Sequence, residues 1–349
     1  MIYCEGWKGN GRARDVATPD GYSGGICRVW AHKGRRIVTD LVVFSGRAHP
    51  QLTQDICRHL RLPVGQAQVY EFSNENIFVK IEQNVRGKDV FVVQPFSSPV
   101  STSILELLIM IDAFKRASAK RITAVIPYYA YGRTDKKDQP RVPITARLLA
   151  DCITAAGASR VLTMDLHAGQ IQGFFNIPVD ELTAETILVR YIFAKELDDF
   201  TVVATDTGFA KKARDFAERL NAPLAIVEKR RVGNHGKTES LGLIGSVAGR
   251  HAIIVDDEID TGGTMIQAAN LVKQQGARDV YACAMHGVLS DDAITRVANS
   301  IVKELVITDT IPLPPEKRLP VITVLSVAEL FAGAIERIHE GKSVAELFR

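Results

Sequence analysis

The chain has 349 residues, of which 46% are hydrophobic, and its 43 lysines and arginines nearly balance its 40 aspartates and glutamates. This balance argues against nucleic acid or an anionic membrane as a partner, and no apolar run reaches the roughly 20 residues that a membrane-spanning helix needs. Five scattered cysteines without C-x-x-C spacing argue against disulfides and zinc, so we expect a cytoplasmic protein.

Residues 1–36 are rich in glycine, arginine and polar side chains, and we predict a flexible N-terminal extension there. Strands and helices then alternate, as is typical of a mostly parallel sheet flanked by helices. Two further strands are predicted to pair around the turn Ser73–Asn76. The predicted strands are Leu41–Phe44, Gln68–Phe72, Ile77–Ile81, Val90–Val93, Ile122–Ile126 and Val161–Met164, and the helices are Gln51–Leu60, Ile104–Ala117 and Thr145–Ala156.

The same alternation repeats after a boundary near Thr183–Glu185. We therefore predict two α/β domains, residues 37–184 and 185–349, with the last helix packing back on the first domain. In the second domain the predicted strands are Thr201–Ala204, Leu224–Val227, Leu243–Val247, Ala252–Val255, Val280–Ala284 and Ile301–Ile307, and the helices are Ala184–Leu197, Phe209–Leu220, a helix from Thr264 and Ser326–His339.

Several polar segments follow predicted strands, where open α/β sheets bind ligands. Pro127–Pro143 is long and contains tyrosines and arginines that suit a purine ring and phosphates, although a solvated loop fits it equally well. His167 lies beside a carboxylate at a strand end, and Asp206 follows another strand. Glu228–Arg231 contains three cations, which indicate either a lid over phosphates or a solvated face.

The segment Ala252–Gln275 is read as a strand, a loop and a helix. Its loop contains the adjacent carboxylates Asp256 and Asp257, which can accept hydrogen bonds from sugar hydroxyls. Glycines, hydroxyls and main-chain N–H groups follow at Asp260–Thr264, a combination that favours an anion such as phosphate. An ordinary βα connection is the alternative interpretation for so short a glycine-rich string.

Val255–Thr264 resembles the phosphoribosyl-diphosphate (PRPP) loop of type I phosphoribosyltransferases and of ribose-phosphate diphosphokinases, with the pattern D-D, variable residues and D-T-x-G-T. Glu106–Tyr129 and Met164–Asp180 resemble signatures of the second family alone. From these motifs the chain is identified as a member of the ribose-phosphate diphosphokinase family. The resemblance implies two tandem phosphoribosyltransferase type I-like domains, each a mostly parallel sheet flanked by helices. It also implies transfer of the diphosphoryl group of ATP to the C1 hydroxyl of ribose 5-phosphate, giving PRPP and AMP for nucleotide biosynthesis.

The resemblance also implies residue roles. His167 and Asp206 would bind Mg²⁺, and Lys229 and Arg231 would be catalytic. The family is often hexameric, so we expect a homo-oligomer in which a neighbouring subunit supplies the Ser73–Asn76 turn to ATP. The residues implied for ATP are Phe72, Asn74, Glu75, Asn76, Arg133 and Thr134, and those for ribose 5-phosphate are Arg231, Asp256, Asp257, Asp260, Thr261, Gly262, Gly263 and Thr264.

Three positions depart from the family pattern. Asn76 replaces a glutamate, Thr134 replaces a glutamine, and Phe209 stands where the family has a glycine beside the metal-binding aspartate. Phe209 is expected to crowd a ligand there. These departures leave two alternatives to the enzyme, namely a noncatalytic regulatory homologue and, with less support, a phosphoribosyltransferase.

Overall fold

The computed structural model describes residues 40–232 and 238–348, with the main chain alone for 229–232 and 238–241. The predicted extension, residues 1–36, lies outside this part of the chain. As far as Leu182 the elements are β1 (Leu41–Ser45), α1 (Pro50–Leu60), β2 (Ala67–Glu71), β3 (Ile77–Ile81), β4 (Asp89–Val93), α2 (Val100–Arg116), β5 (Arg121–Ile126), α3 (Thr145–Ala156), β6 (Arg160–Met164), a 3-10 helix (Gly169–Phe174) and β7 (Val179–Leu182).

A first sheet has the strand order β1-β4-β5-β6-β7, and every neighbouring pair in it is parallel. Its central strands are continuous apolar runs because helices cover both faces; β4, for example, is buried at every position. The hairpin β2–β3 lies apart as a two-stranded antiparallel ribbon. Because β5 and β6 are parallel neighbours in the first sheet, their carboxyl ends lie side by side. The residues that follow these two strands, including His167, therefore meet at one edge of the sheet.

After Leu182 the elements are α4 (Glu185–Phe193), β8 (Phe200–Ala204), α5 (Ala210–Arg219), β9 (Leu224–Val232), β10 (Thr238–Ile244), β11 (His251–Ile259), α6 (Gly263–Gln274), β12 (Val280–Gly287), α7 (Ala293–Ala298), β13 (Val302–Thr308), a 3-10 helix (Pro315–Lys317), β14 (Ile322–Leu325), α8 (Ala328–Glu340) and a 3-10 helix (Val344–Phe348).

These strands form a second sheet in the order β10-β9-β8-β11-β12-β13-β14, parallel except for the β9–β10 pair. The chain goes from β8 outward to β9 on one side and returns to β11 on the other. This reversal is a topological switch point, and in open α/β sheets the crevice at the carboxyl ends of such strands binds ligands. Asp206 follows β8 and Asp256 lies near the end of β11, so both are at this crevice.

The last helix, α8, packs against α1 beside the first sheet. His339 near its end lies 2.8 Å through Nδ1 from a carboxylate oxygen of Asp89 on β4, and Arg121 on β5 donates to the main-chain oxygen of His339 over 3.3 Å. Asp89 also accepts from Arg121 Nε at 3.1 Å and is buried. The C-terminal end of the described chain is therefore held by β4 and β5.

The α/β class, with helices flanking a parallel sheet and a mostly parallel one, is confirmed. Several boundaries differ from the prediction. β11 continues through Ile259, so Asp256 and Asp257 lie on a strand instead of in a loop, and β10 occupies Thr238–Ile244, earlier than predicted. The short elements β7, β14 and α7 were not predicted. Among the described residues, no helix is both long enough and apolar enough to cross a membrane.

Candidate active site

A cleft of about 230 Å³ opens where the carboxyl ends of β8 and β11 face the loops of the first sheet. It brings together residues from four segments that are far apart in sequence. Five carboxylates line it, against one arginine and one histidine. The lining residues are Arg133, His167, Asp206, Asp256, Asp257, Glu258, Ile259, Asp260, Thr261, Gly262, Gly263, Thr264 and Met265.

Asp256 and Asp257 are held in different electrostatic states. Asp256 accepts a 2.7 Å hydrogen bond from the hydroxyl of Thr205, and burial together with the charge of Asp257 raises the pKa of its carboxyl. Burial is the largest influence and works to raise the pKa of Asp257, but the hydrogen bond and charge of His167, with the hydrogen bond of Asp256 and the charge of Lys212, together hold that pKa below its usual range. The cleft therefore holds the negative charge of this pair on Asp257.

His167 reaches Asp257 across the cleft, with Nδ1 2.6 Å from Oδ2. The hydrogen bond raises the pKa of the imidazole, while burial works against it. A carboxylate can only accept, so Nδ1 carries the hydrogen and Nε2 is the nitrogen left for another partner. The arrangement is that of a metal-binding histidine oriented by a carboxylate.

Arg133 crosses the same gap from the loop after β5. Its Nε lies 2.6 Å from Glu258 Oε1, and its Nη1 lies 3.7 Å from a carboxylate oxygen of Asp260. Tyr128, near the start of that loop, donates to the other oxygen of Glu258 over 3.2 Å. Glu258 thus ties the first sheet's loop to the end of β11.

The glycine-rich turn after β11 exposes the start of α6. Gly262 has a φ of +76°, which favours glycine, and no side chain caps the helix that begins at Gly263. Unoccupied N–H groups at a helix start form an anion site. Arg296 donates to the main-chain oxygen of Thr261 over 3.0 Å, and Ser290 hydrogen-bonds the carboxylate of Asp260. Arg296 and Ser290 therefore hold the turn, and its residues line the cleft.

Asp206 lies in the cleft with one oxygen, Oδ1, accepting from the main-chain N–H of Phe209 at 3.0 Å. Phe209 has ordinary right-handed helical angles, φ −87° and ψ −5°, and its ring is buried outside the cleft lining. The main chain at Phe209 therefore does not require glycine, and the ring is not among the residues that line this cleft.

The other residues implied for ATP lie apart from this cleft. The turn between β2 and β3 is exposed, with Glu75 at a φ of +65° and Asn76 donating its N–H to the Asn74 side chain. Phe72 is 48% exposed and its ring touches those of Tyr70 and Phe78. Thr134 is half-buried and donates to the main-chain oxygen of Tyr131. Of the implied ATP residues, Arg133 alone lines the cleft.

Lys229 and Arg231 are on β9, but their side chains lie outside the described residues. The main chain places them beyond Ile226, the last residue of β9 that pairs with β8. From there β9 pairs with β10, Lys229 opposite Leu241 and Arg231 opposite Glu239. The two cations are therefore carried on a two-stranded arm that extends from the carboxyl end of the sheet.

Four residues of the site were not predicted, namely Thr205, Glu258, Ser290 and Arg296. Glu258 was taken as a variable position within the loop pattern, although its carboxylate pairs with Arg133. Ser290 begins the short polar run Ser290–Asp292, which follows β12 after Val288 and Leu289 and resembles the polar segments that drew attention to His167 and Asp206. Thr205 directly follows β8 and carries the same signal as Asp206, whereas Arg296 carries none, since its contact depends on how α7 packs.

No three His, Cys, Asp or Glu side chains of the described chain form a group that could hold a metal ion by themselves. His167 and Asp206 nevertheless share the cleft, each with one ligating atom outside the protein hydrogen bonds described above. Mg²⁺ in phosphoryl-transfer sites commonly takes one or two protein ligands and fills its octahedron with water and phosphate oxygens. The donor set fits such a site.

A switch-point cleft with an uncapped helix start and adjacent carboxylates is that of a ligand-binding α/β protein. The model of the N-terminal domain of ribose phosphate pyrophosphokinase matches residues 41–157, and that of the phosphoribosyl synthetase-associated domain matches residues 233–349. The chain belongs to the ribose-phosphate pyrophosphokinase family. Ribose-phosphate diphosphokinase is another name for the same family.

Individual relatives agree over nearly the whole chain. A ribose-phosphate pyrophosphokinase of Caldanaerobacter subterraneus is 56% identical over 90% of this chain and 99% of its own length. One from Clostridium perfringens is 51% identical over 89% and 98%. The crystal structure of phosphoribosylpyrophosphate synthetase from Mycobacterium smegmatis superposes with a TM-score of 0.83, at 44% identity, over 87% of this chain and all of that one.

Proposed function

We propose that this chain transfers the diphosphoryl group of ATP to the C1 hydroxyl of ribose 5-phosphate, yielding PRPP and AMP. The observation that carries the proposal is the cleft, where an uncapped helix start lies beside the carboxylates of β11 and faces His167. The family relationship supports it, since the relatives named above are pyrophosphokinases of this kind.

Ribose 5-phosphate fits the β11–α6 end of the cleft. Its phosphate would accept from the N–H groups of Gly263 and Thr264 and from the hydroxyls of Thr261 and Thr264, and its ring hydroxyls would donate to Asp256. Asp260, held by Ser290, fixes the turn between these two contacts. The C1 hydroxyl would then point toward the His167 side of the cleft.

The cleft needs a cation before it can accept ATP, because five carboxylates face one arginine and one histidine. His167, through Nε2, and Asp206 would hold Mg²⁺, while Asp257 keeps the imidazole oriented. Bound Mg²⁺ supplies charge neutralisation on the phosphate oxygens of ATP. The protein's own part is to hold the C1 hydroxyl in line with the β-phosphorus and to exclude water.

Lys229 and Arg231 are proposed to neutralise negative charge as the diphosphoryl group is transferred. The carboxyl-terminal part of their strand pairs with β10 beyond the last residue that pairs with β8, which supports the proposal that the arm of β9 and β10 would carry these cations toward the phosphates. Cations that act on developing charge contribute mainly to the rate instead of to ground-state binding. Arg231 would also contact ribose 5-phosphate.

The adenine of ATP would be bound partly by a second copy of the chain. The exposed turn after β2 carries Phe72, Asn74, Glu75 and Asn76, while Arg133 and Thr134 would bind from the subunit that provides the cleft. This proposal makes the protein a homo-oligomer, a hexamer by family resemblance. Mixing the Phe72→Ala and Lys229→Ala variants tests it. Activity should recover at sites that combine the intact Lys229 of the Phe72→Ala chain with the intact Phe72 of the Lys229→Ala chain. If the mixture stays inactive, the shared ATP site is refuted.

The decisive experiment incubates the purified full chain with ATP, Mg²⁺ and ribose 5-phosphate and measures AMP and PRPP. Equal amounts of the two products are expected. A regulatory homologue would form neither product alone yet change the activity of a catalytic relative, and a phosphoribosyltransferase would consume PRPP in the presence of a base. Either result would overturn the proposal.

A further inference from the structure

The turn that presents His167 has an unusual main-chain conformation. Asp165, directly after β6, has a φ of +41°, a left-handed value that costs a non-glycine residue energy unless its surroundings hold it. Its N–H donates to Leu182 over 3.0 Å, and its carboxylate accepts from the N–H of Ala184 over 2.7 Å. These bonds fix the turn to β7 and to the start of α4.

Two side chains from elements of the second sheet and its helices bind the main-chain carbonyl groups of Asp165 and Leu166. His286, at the end of β12, lies with Nε2 3.2 Å from the main-chain oxygen of Asp165. Lys212, on α5, donates from Nζ to the main-chain oxygen of Leu166 over 3.0 Å. Both hydrogen bonds join the second sheet and its helices to the loop after β6 in the first sheet. They fix the main chain of the two residues immediately before His167.

The hydrogen-bond pattern of His286 is determined by its partners. A carbonyl oxygen can only accept, so Nε2 carries the hydrogen, and Nδ1 accepts from the hydroxyl of Thr310 at 2.9 Å. The ring is 3% exposed and lies against Tyr128, with 5.0 Å between the ring centroids. Burial lowers the pKa of the imidazole to about 4. His286 is therefore a neutral donor aimed at one carbonyl.

We propose that His286 and Lys212 are positioning residues for the reaction, holding the Asp165–Leu166 main chain so that His167 stays opposite Asp206. This inference rests on the proposed role of His167 as a magnesium ligand. Neither side chain lines the cleft, so neither is proposed to touch substrate. Their effect is transmitted through two consecutive carbonyl groups to the ligand that follows them.

A matched pair of variants isolates the cross-sheet bond. His286→Gln places an amide nitrogen near the position of Nε2 and can keep the bond to Asp165, whereas His286→Asn keeps the partner of Thr310 and is too short to reach Asp165. Each loses one hydrogen bond. We expect His286→Asn to raise the Mg²⁺ concentration for half-maximal activity on the order of 10-fold, the usual size for outer-shell partners, with His286→Gln close to the wild type. Lys212→Met should resemble His286→Asn.

Thr163→Val is the control, because it removes a buried 2.8 Å bond to the oxygen of Ile126 within the first sheet. It should lower stability without changing the Mg²⁺ dependence. Hydrogen–deuterium exchange of a peptide that begins before residue 163, and so reports the amides of Asp165 and Leu166, gives a readout independent of turnover. The amides of Asp165 and Leu166 should exchange faster in His286→Asn and Lys212→Met than in Thr163→Val.

Equal exchange in His286→Asn and His286→Gln, or a Mg²⁺ dependence that follows Tm alone across all variants, would overturn the positioning role. Failure of the wild-type chain to make PRPP would instead refute the proposed function. The exchange comparison would then still decide whether His286 and Lys212 hold the turn.

Discussion

His167 and Asp257 lie 90 positions apart in the sequence, and a 2.6 Å hydrogen bond joins the imidazole Nδ1 of one to the carboxylate Oδ2 of the other. One comes from the loop after β6 and the other from the end of β11. The bond therefore sets both the orientation of the imidazole and the spacing of the two loops that form the cleft.

The first prediction concerns this bond. Asp257→Asn keeps the shape and an acceptor oxygen but removes the charge that favours the Nδ1–H form. We expect the Mg²⁺ requirement to rise about 10-fold to 100-fold, as for other outer-shell carboxylates. Titration of activity with Mg²⁺, and of Mn²⁺ binding by EPR, measures it. An unchanged requirement would mean that Asp257 serves ribose 5-phosphate alone.

Lys229→Ala tests the proposed catalytic cation. Because the cation acts on charge that develops during transfer, kcat should fall on the order of 100-fold or more while the Kd for ribose 5-phosphate stays near that of the wild type. Lys303→Ala removes an exposed cation paired with Asp279 and serves as the control. A near-normal kcat in Lys229→Ala would remove Lys229 from the mechanism.

Gly263→Val tests the phosphate-binding turn. A Cβ at Gly263 would meet its nearest protein atoms at 3.7 Å, an ordinary contact, so the fold has room for it. The valine side chain would, however, block a phosphate from approaching the N–H groups. The KM for ribose 5-phosphate should rise much more than that for ATP. Gly173→Val, where a Cβ meets no atom within 4 Å, should change neither. Equal effects of Gly263→Val on both substrates would contradict the phosphate site.

The altered ATP side gives a gain-of-function prediction. Asn76 and Thr134 replace longer polar side chains, and each lost hydrogen bond would weaken ATP binding by about 0.5–1.5 kcal/mol. Asn76→Glu combined with Thr134→Gln should therefore lower the KM for ATP and leave that for ribose 5-phosphate unchanged. Steady-state kinetics at saturating Mg²⁺ measures both. A KM for ATP that stays the same or rises would show that these positions do not contact the nucleotide.

His286 gives a prediction for acid stability. Burial lowers its pKa to about 4 from an ordinary 6.5. Between these values the unfolded chain binds a proton that the folded chain excludes, so the free energy of unfolding falls with falling pH, by at most about 3 kcal/mol for this group. The difference in Tm between wild type and His286→Gln should therefore shrink from pH 7 to pH 4.5. Parallel curves would show that His286 is not neutral in the folded protein.

The α/β class and the sequence positions of most site residues were predictable because both depend on local signals. Apolar β-branched runs predicted the buried strands, and polar residues directly after them predicted where ligands bind. β7 and β14 were not predicted because they are short edge strands with mostly half-buried side chains. The pairing of such strands depends on the rest of the sheet. β11 was predicted too short because its last residues are carboxylates, which seldom occur in strands.

Contacts between the sheets could not be predicted from one sequence. The partnership of His286 with Asp165 and that of Lys212 with Leu166 depend on how the two sheets face each other, and neither side chain stands in a distinctive motif. The domain boundary near residues 184 and 185, the cytoplasmic location and the oligomeric state stay predictions.

The contact of α8 with α1 has a consequence for how the protein is made. The partner of a helix at residues 50–60 lies at residues 328–340, so α1 keeps an uncovered surface until α8 has been synthesised. Phe331, Ile335 and Ile338 are buried in the folded protein but leave the ribosome long after α1. The strands of the first sheet are therefore synthesised early, but the helix layer beside them is complete only when α8 has been made. A nascent chain stalled before Ala328 exposes an apolar face of α1 to chaperones and to other unfinished chains.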